Sequence, residues 1–186
     1  MLGRPSRRHY DEQALYEYAI EALGRRMRSV AELKRMMRGR VARQEDGEQL
    51  IDKVVARLKE QRYLNDANYA AAYSTFRKEN EKFGRLRVVQ ELKSRGVHPD
   101  VIAAAVRGTY DGVDETQLAR EFLERKRIQQ PRNQREAARI FRAMARAGFT
   151  SRVIVGILKN WNVEDEVLTT LEQEREELES KPAREE

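Results

Sequence analysis

Cysteine is absent from the 186 residues, and histidine (His9 and His98), proline (four) and glycine (ten) are scarce. Without thiols there is no disulfide, no thiolate nucleophile and no sulfur-ligated metal. Two histidines cannot build a histidine-rich metal site. No apolar run approaches the roughly 18 residues of a membrane span, and Met1 to Tyr10 lack the apolar core of a signal peptide. There is no glycine-rich phosphate loop, no His-x-x-x-His, and no Ser/His/Asp set within one unit. No pair of carboxylates sits where its environments would separate two pKa values. These absences lead us to expect a soluble cytoplasmic protein that is not an enzyme and carries no cofactor and no metal.

Charge is what the chain has in excess. Asp, Glu, Lys and Arg make up 37% of it, against about 25% in an average globular protein, and apolar residues make up 40%. That ratio suits thin cores shared among helices rather than one deep core. The net charge of +6 is unevenly placed. From Glu164 to Glu186 ten carboxylates face three cations, a net of −7, which leaves +13 on the residues before them. A body so positive favours a polyanion, although a solvated arginine-rich surface has the same composition.

Apolar residues recur at helical spacing almost throughout. Leu15, Tyr18, Ala19, Ala22 and Leu23 form one stripe, Leu33, Met36 and Met37 a second, and Leu50, Ile51, Val54, Val55 and Leu58 a third. A second round follows in Tyr69, Ala72, Tyr73 and Phe76, then Val88, Val89 and Leu92, then Val101, Ile102, Ala105 and Val106. The third has Leu118, Phe122 and Leu123, then Ile140, Phe141 and Met144, then Val153, Ile154, Ile157 and Leu158. A shift of 52 residues places Leu92 on Met144, Gly96 on Gly148, Ile102 on Ile154 and Val106 on Leu158. A shift of 55 places Leu33 on Val88, and one of 51 places Ile51 on Ile102, so the first unit has extra residues in Arg43 to Glu48. Val153 to Ile157 has strand propensity, but its repeat counterpart is alanine-rich, so both are expected to be helical.

The fold expected is all-α: three tandem three-helix, helix-turn-helix-like repeats in an elongated curved array. The units fall at 10–64, 65–112 and 113–163, followed by an acidic helical or frayed tail at 164–186. Ser29 with Glu32, Asp114 with Gln117, and Asn133 with Glu136 have capping-box spacing. Gly39, Gly96 and Gly148 stand where left-handed caps would end the middle helices. Pro99 suits a first helical turn, and Pro131 is expected to stop the basic helix before it. Tyr110 to Val113 reads as a linker.

Four stretches in this order resemble the RecX family, bacterial proteins that regulate the RecA recombinase. Arg28-Ser29-Val30-Ala31-Glu32-Leu33 is similar to the family's Arg-Ser-x-x-Glu-Leu, and Tyr63-Leu64-Asn65-Asp66 to its Tyr-Leu-Asp-Asp turn. Phe83-Gly84-Arg85-Leu86-Arg87-Val88-Val89-Gln90-Glu91-Leu92 resembles aromatic-Gly-Pro-x-x-Ile-x-x-Glu-Leu, and Lys93-Ser94-Arg95-Gly96-Val97 continues it. Arg85 replaces a usual Pro and Asn65 a usual Asp, both matters of turn chemistry. The resemblance runs from about Tyr10 to Val163. It implies binding to the RecA filament on single-stranded DNA and restraint of its ATP hydrolysis, strand exchange and growth. Most of the matching residues also have a structural explanation. Ser29 and Glu32 are expected to be a cap, Tyr63 and Leu64 core, and Asn65-Asp66 the next cap. Gly84, Gly96 and Gly148 are expected to be backbone requirements. Tyr69, Tyr73, Phe76 and Trp161 are expected to be core, with His9 and His98 at the surface or in turns.

Three cationic rows are harder to explain by packing. The first is Arg25, Arg26, Arg28, Lys34, Arg35, Arg38 and Arg40; the second is Arg77, Lys78, Lys82, Arg85, Arg87, Lys93 and Arg95. The third is Arg125, Lys126, Arg127, Arg132, Arg135, Arg139 and Arg142. They recur at the first-to-second helix turn of each unit, where stacking would align them into one track. Guanidinium forks suit phosphate and acidic protein surface alike, so filament and DNA contact both stay open. A helix-turn-helix transcription regulator is one alternative, although the third helices are too apolar for a recognition helix. A basic protein-binding scaffold is another. No apolar surface stripe is left over, so a monomer is expected, with no membrane partner.

Overall fold

The computed structural model describes residues 9–180; residues 1–8, on which the signal-peptide reading largely rested, and 181–186 of the expected tail lie outside them. Among the described residues there are ten helices and no strand. They are α1 (Glu12–Arg25), α2 (Val30–Val41), α3 (Gly47–Glu60), α4 (Asp66–Glu81), α5 (Arg85–Ser94), α6 (Pro99–Tyr110), α7 (Glu115–Arg125), α8 (Gln134–Arg146), α9 (Ser151–Asn160) and α10 (Asp165–Ser180). The architecture is three tandem three-helix repeats followed by α10. Val153 to Ile157 is helical within α9, as the repeat required.

Caps set most of the boundaries. Asp11 accepts from the Ala14 amide, Asn65 from Asn68, Asp114 from Thr116 and Gln117, and Asn133 from Glu136. Only Ser29 with Glu32 closes a full reciprocal box. The Glu136 side chain reaches the Arg132 amide instead, and Gln117 reaches Glu121. At the other ends a recurring pair of amide bonds closes the last turn, with a left-handed residue followed by an apolar one. Gly96 before Val97 and Gly148 before Phe149 do this with glycine, but Arg127 before Ile128 and Asn162 before Val163 do it without. Gly39 is not a cap: α2 runs past it to Val41. Nor does Pro131 stop α7, which already ends at Arg125 because the left-handed turn at Arg127 redirects the chain.

The described chain divides into two compact units. The first runs up to Tyr73 and takes in Glu91–Ala105. Its main core joins Leu15 and Ala19 of α1, Leu33 and Met37 of α2, and Ile51, Val54 and Leu58 of α3. The Ser29 cap is fully buried there, and its hydroxyl donates to the Arg95 carbonyl at 2.6 Å. The next amide, Val30, donates to the Asp66 carboxylate at 2.8 Å, and Arg95 pairs with Glu32 at 2.7 Å. The start of α2 is thus satisfied by residues far along the chain. Tyr63 is not core: it is 61% exposed, and Leu64 alone is buried.

The second unit comprises Ser74–Gln90 and everything from Val106 on. Its core holds Leu118, Phe122, Ile140, Phe141, Met144, Phe149, Ile154 and Leu158, with half-buried Trp161 packed against it. Phe83 joins Phe122 at a centroid distance of 6.3 Å, and Phe122 joins Phe149 at 5.6 Å. The acidic helix α10 is part of this core through Leu168 and Leu171, so removing everything after Val163 would expose it. Phe76, expected inside, is 53% exposed. The backbones of Gly84 and Gly148 meet directly: the Gly84 amide donates to Ala147 at 2.9 Å and the Leu86 amide to Gly148 at 3.2 Å. A Cβ on either glycine would overlap the other segment's backbone, and Gly148 also has φ +92°.

Two stability tests follow. Gly148→Ala combines left-handed strain with backbone overlap and should cost well over about 1 kcal/mol in a denaturant melt. Leu168→Ala should cost about 2–5 kcal/mol, the range for emptying a packed leucine site; a loss under about 0.5 kcal/mol would mean that α10 is not held by the core.

Candidate functional site

The cations fall into two populations. In the first row Lys34 bonds Asp52 at 2.7 Å, and Arg38 grips Glu48 with two bonds at 2.7 and 3.2 Å. Both clasp α2 to α3. The Arg38 hydrogen bond holds the Glu48 carboxyl below its ordinary value, and the Lys34 bond does the same to Asp52. Arg25 pairs with Glu21 one turn back, and Arg28 donates to the Ala22 carbonyl. Arg40 lies 4.6 Å over the Tyr18 ring. Only Arg26 and Arg35 of this row are exposed without a partner among the described residues.

The second row is mostly engaged. Lys78 reaches Glu79 and the Thr109 carbonyl, and Lys82 pairs with Glu121 at 2.9 Å, which lowers the Glu121 pKa. Arg77 and Arg87 lie over the Phe83 ring at 5.0 and 5.8 Å. Arg95 is set between Glu32 and the Tyr73 ring. Its burial alone would lower its pKa, but the Tyr73 hydrogen bond and the surrounding acidic groups outweigh this and raise it. Arg85 and Lys93 stay exposed without partners among the described residues. The four cations flanking Phe83-Gly84, which are Arg77, Lys78, Arg85 and Arg87, therefore do not form one exposed set. Three of the four are tied down, because the aromatic ring and the α6 carbonyl lie within reach of their stems.

The third row is the most open. Arg125 lies 3.9 Å from Glu81 and Arg142 3.8 Å from Glu174. Lys126, Arg127, Arg132, Arg135 and Arg139 are exposed and have no ion-pair partner among the described residues. Lys126, Arg127, Arg132 and Arg139 line a groove of about 480 Å³ between the end of α7 and the face of α8. Gln129, Gln130 and Glu136 complete its polar wall, over Ile128, Ile140 and Ala143. Sequence spacing located these cations but not the concavity, which depends on the irregular path from Lys126 to Asn133. No group of three His, Cys, Asp or Glu able to hold a metal occurs among the described residues, and no described helix is long and apolar enough to cross a membrane.

Two solved structures share the fold. "Crystal structure of regulatory protein RecX" aligns with a TM-score of 0.63 over 80% of this chain and 71% of its own, at 18% identity. RecX from Lactobacillus salivarius aligns with 0.61 over 81% and 96%, at 19% identity. The class is that of all-helical tandem three-helix-repeat proteins. The family follows from sequence. Residues 65–106 match the family model described as RecX, second three-helix domain. The regulatory protein RecX of Deinococcus radiodurans is 34% identical over 81% of this chain and 70% of its own length. That of Leptothrix cholodnii is 34% identical over 76% and 85%. The chain belongs to the RecX family of regulatory proteins.

The α2–α3 clasp makes a pH prediction. Glu48 and Asp52 have folded pKa values below their unfolded ones, so their contribution is complete above the ordinary carboxylate range and lost as pH falls through the depressed values. Glu48→Gln should therefore flatten the loss of stability below about pH 4 and reduce its salt sensitivity while leaving helix content unchanged. An unaltered acid limb in thermal melts from pH 2 to 7 would show that the pair carries none of it.

Proposed function

We propose that the protein regulates the RecA recombinase by binding the RecA filament on single-stranded DNA and restraining its ATP hydrolysis, strand exchange and growth. Membership of the RecX family is the observation that carries this reading. The distribution of unpartnered cations supports it physically. Arg26 and Arg35 belong to the first repeat, Arg85 to the second, and Lys126, Arg127, Arg132, Arg135 and Arg139 to the third. Repeats at 10–64, 65–112 and 113–163 would each contribute weak contacts, and linked weak contacts gain from the local concentration that their neighbours impose. On this reading the protein acts as a cytoplasmic monomer with no catalysis of its own, and 164–186 supply the opposite charge.

The test uses cations that no carboxylate holds. Arg26→Ala/Arg35→Ala should change folding stability by no more than about 0.5 kcal/mol per site, because both side chains are exposed. Inhibition of RecA ATP hydrolysis on single-stranded DNA should then require several-fold more protein, with a weaker dependence on salt. Failure of the parent protein to inhibit RecA overturns the reading. A folded variant that inhibits at the parent's concentration and salt removes these two arginines from the interface.

A further inference from the structure

Among the described residues seven turns pass through a left-handed residue. In six of them the side chain that follows turns inward. Val97 and Phe149 are buried, and Phe83, Val113, Ile128 and Val163 pack half-buried against the core of the second unit. An apolar residue in this slot ordinarily packs back onto the helix it ends. Tyr63, which follows the left-handed Arg62, does not: it is 61% exposed, and Leu64 takes the core place. Its backbone is nonetheless fixed. The Tyr63 amide donates to the Leu58 carbonyl at 2.9 Å and the Arg62 amide to Lys59 at 3.0 Å. The ring therefore projects from a held point, and binding would order little beyond the side chain. The bond from the Val30 amide to the Asp66 carboxylate ties the α1–α2 link to this same stretch. That link carries Met27, at 55% the other large apolar side chain that the first unit exposes among the described residues. Each is preceded by an arginine, Arg26 and Arg62, whose side chain is exposed and has no partner among the described residues.

We propose that Tyr63 and Met27, with Arg26 and Arg62, are the contact of the first repeat with the recombinase protein itself, on an apolar depression rimmed by carboxylates. This rests on the filament-binding reading and adds to it which side chains touch protein rather than phosphate. Tyrosine, methionine and arginine are the types enriched at protein interfaces, and a rigidly held aromatic ring is the usual anchor of one. Met27 offers a polarisable, adaptable chain that has neither charge nor donor for a phosphate backbone. Two cations also supply little of the counterion release on which nucleic-acid affinity depends. A second copy of this chain fits poorly, because a two-fold contact of the patch with itself would set arginines against arginines.

The full chain and its variants are titrated into RecA assembled on single-stranded DNA, with ATP hydrolysis as the readout. They are titrated separately into labelled oligothymidylate without recombinase, at the same salt concentration. Tyr63→Ala changes no charge and removes an exposed ring, so its melting temperature should stay within about 2 °C of the parent's. It should need at least about tenfold more protein for half inhibition, while its affinity for oligothymidylate equals the parent's. Phe76→Ala, which removes a comparably exposed ring from α4, should inhibit as the parent does. If Tyr63→Ala melts early, Met27→Ala decides by the same criterion, with several-fold more protein expected for half inhibition. The assignment is overturned if the folded variant inhibits at the parent's concentration, or if Phe76→Ala loses as much. It is also overturned if oligothymidylate binding falls together with inhibition, which would put the ring on nucleic acid. A parent that does not inhibit RecA is a different failure: it overturns the filament reading, and the patch with it.

Discussion

The contact on which the second unit depends is between two pieces of bare backbone. Gly84 and Gly148 approach so closely that neither tolerates a side chain, and the amides of Gly84 and Leu86 bond to the carbonyls of Ala147 and Gly148. This fixes the start of α5 against the end of α8. Phe83 and Phe149, next to the two glycines, are thereby both brought against Phe122, and the Tyr110 hydroxyl closes on the Phe83 carbonyl at 2.8 Å. The α7–α8 pair that forms the cationic groove is set by the same contact.

In the first unit the equivalent role falls to polar groups. Ser29 caps α2 and donates to the Arg95 carbonyl, Asp66 accepts the Val30 amide, and Arg95 returns to Glu32. The start of α2 would otherwise leave orphan amides in a buried position, so each of these bonds avoids a desolvation cost as well as supplying a contact. Arg95 is thereby engaged in the packing of α2, although by sequence it belongs to a cationic row.

Helical periodicity and the 52-residue repeat were enough to read the all-helical, tandem three-helix architecture and the helical state of Val153 to Ile157. Short-range chemistry explains why: stripes, caps and turns are written within a few residues. The glycines of the close contacts were readable for the same reason. The exposure of Tyr63 and Phe76 was not, because spacing shows which residues share a face but not whether another element covers it. Ion pairs were equally hidden. Lys34 finds Asp52 across 18 residues and Arg38 finds Glu48 across 10, separations that only the packing of α2 on α3 brings together. Left-handed caps at Arg127 and Asn162 lack the glycine that would have announced them. The early end of α7 and the groove behind it were hidden with them.

That early end gives the cationic loop its character. A chain from Lys126 to Asn133 with no helix of its own would ordinarily lose conformational entropy on binding an anion. Here the loss has been met in folding. The Ile128 amide bonds the Leu123 carbonyl at 2.9 Å, the Arg132 amide bonds Glu136, and Asn133 caps α8. Gln130 ties the middle of the loop to the Trp161 backbone. The loop is held at four points, two through its backbone amides and two through the Gln130 and Asn133 side chains, while the cationic side chains remain in solvent. Paired cations such as Lys34 and Arg38 hold helices together and offer a partner little. The unpaired ones lie in solvent outside the core, where salt screens their mutual repulsion and a bound anion would offset it.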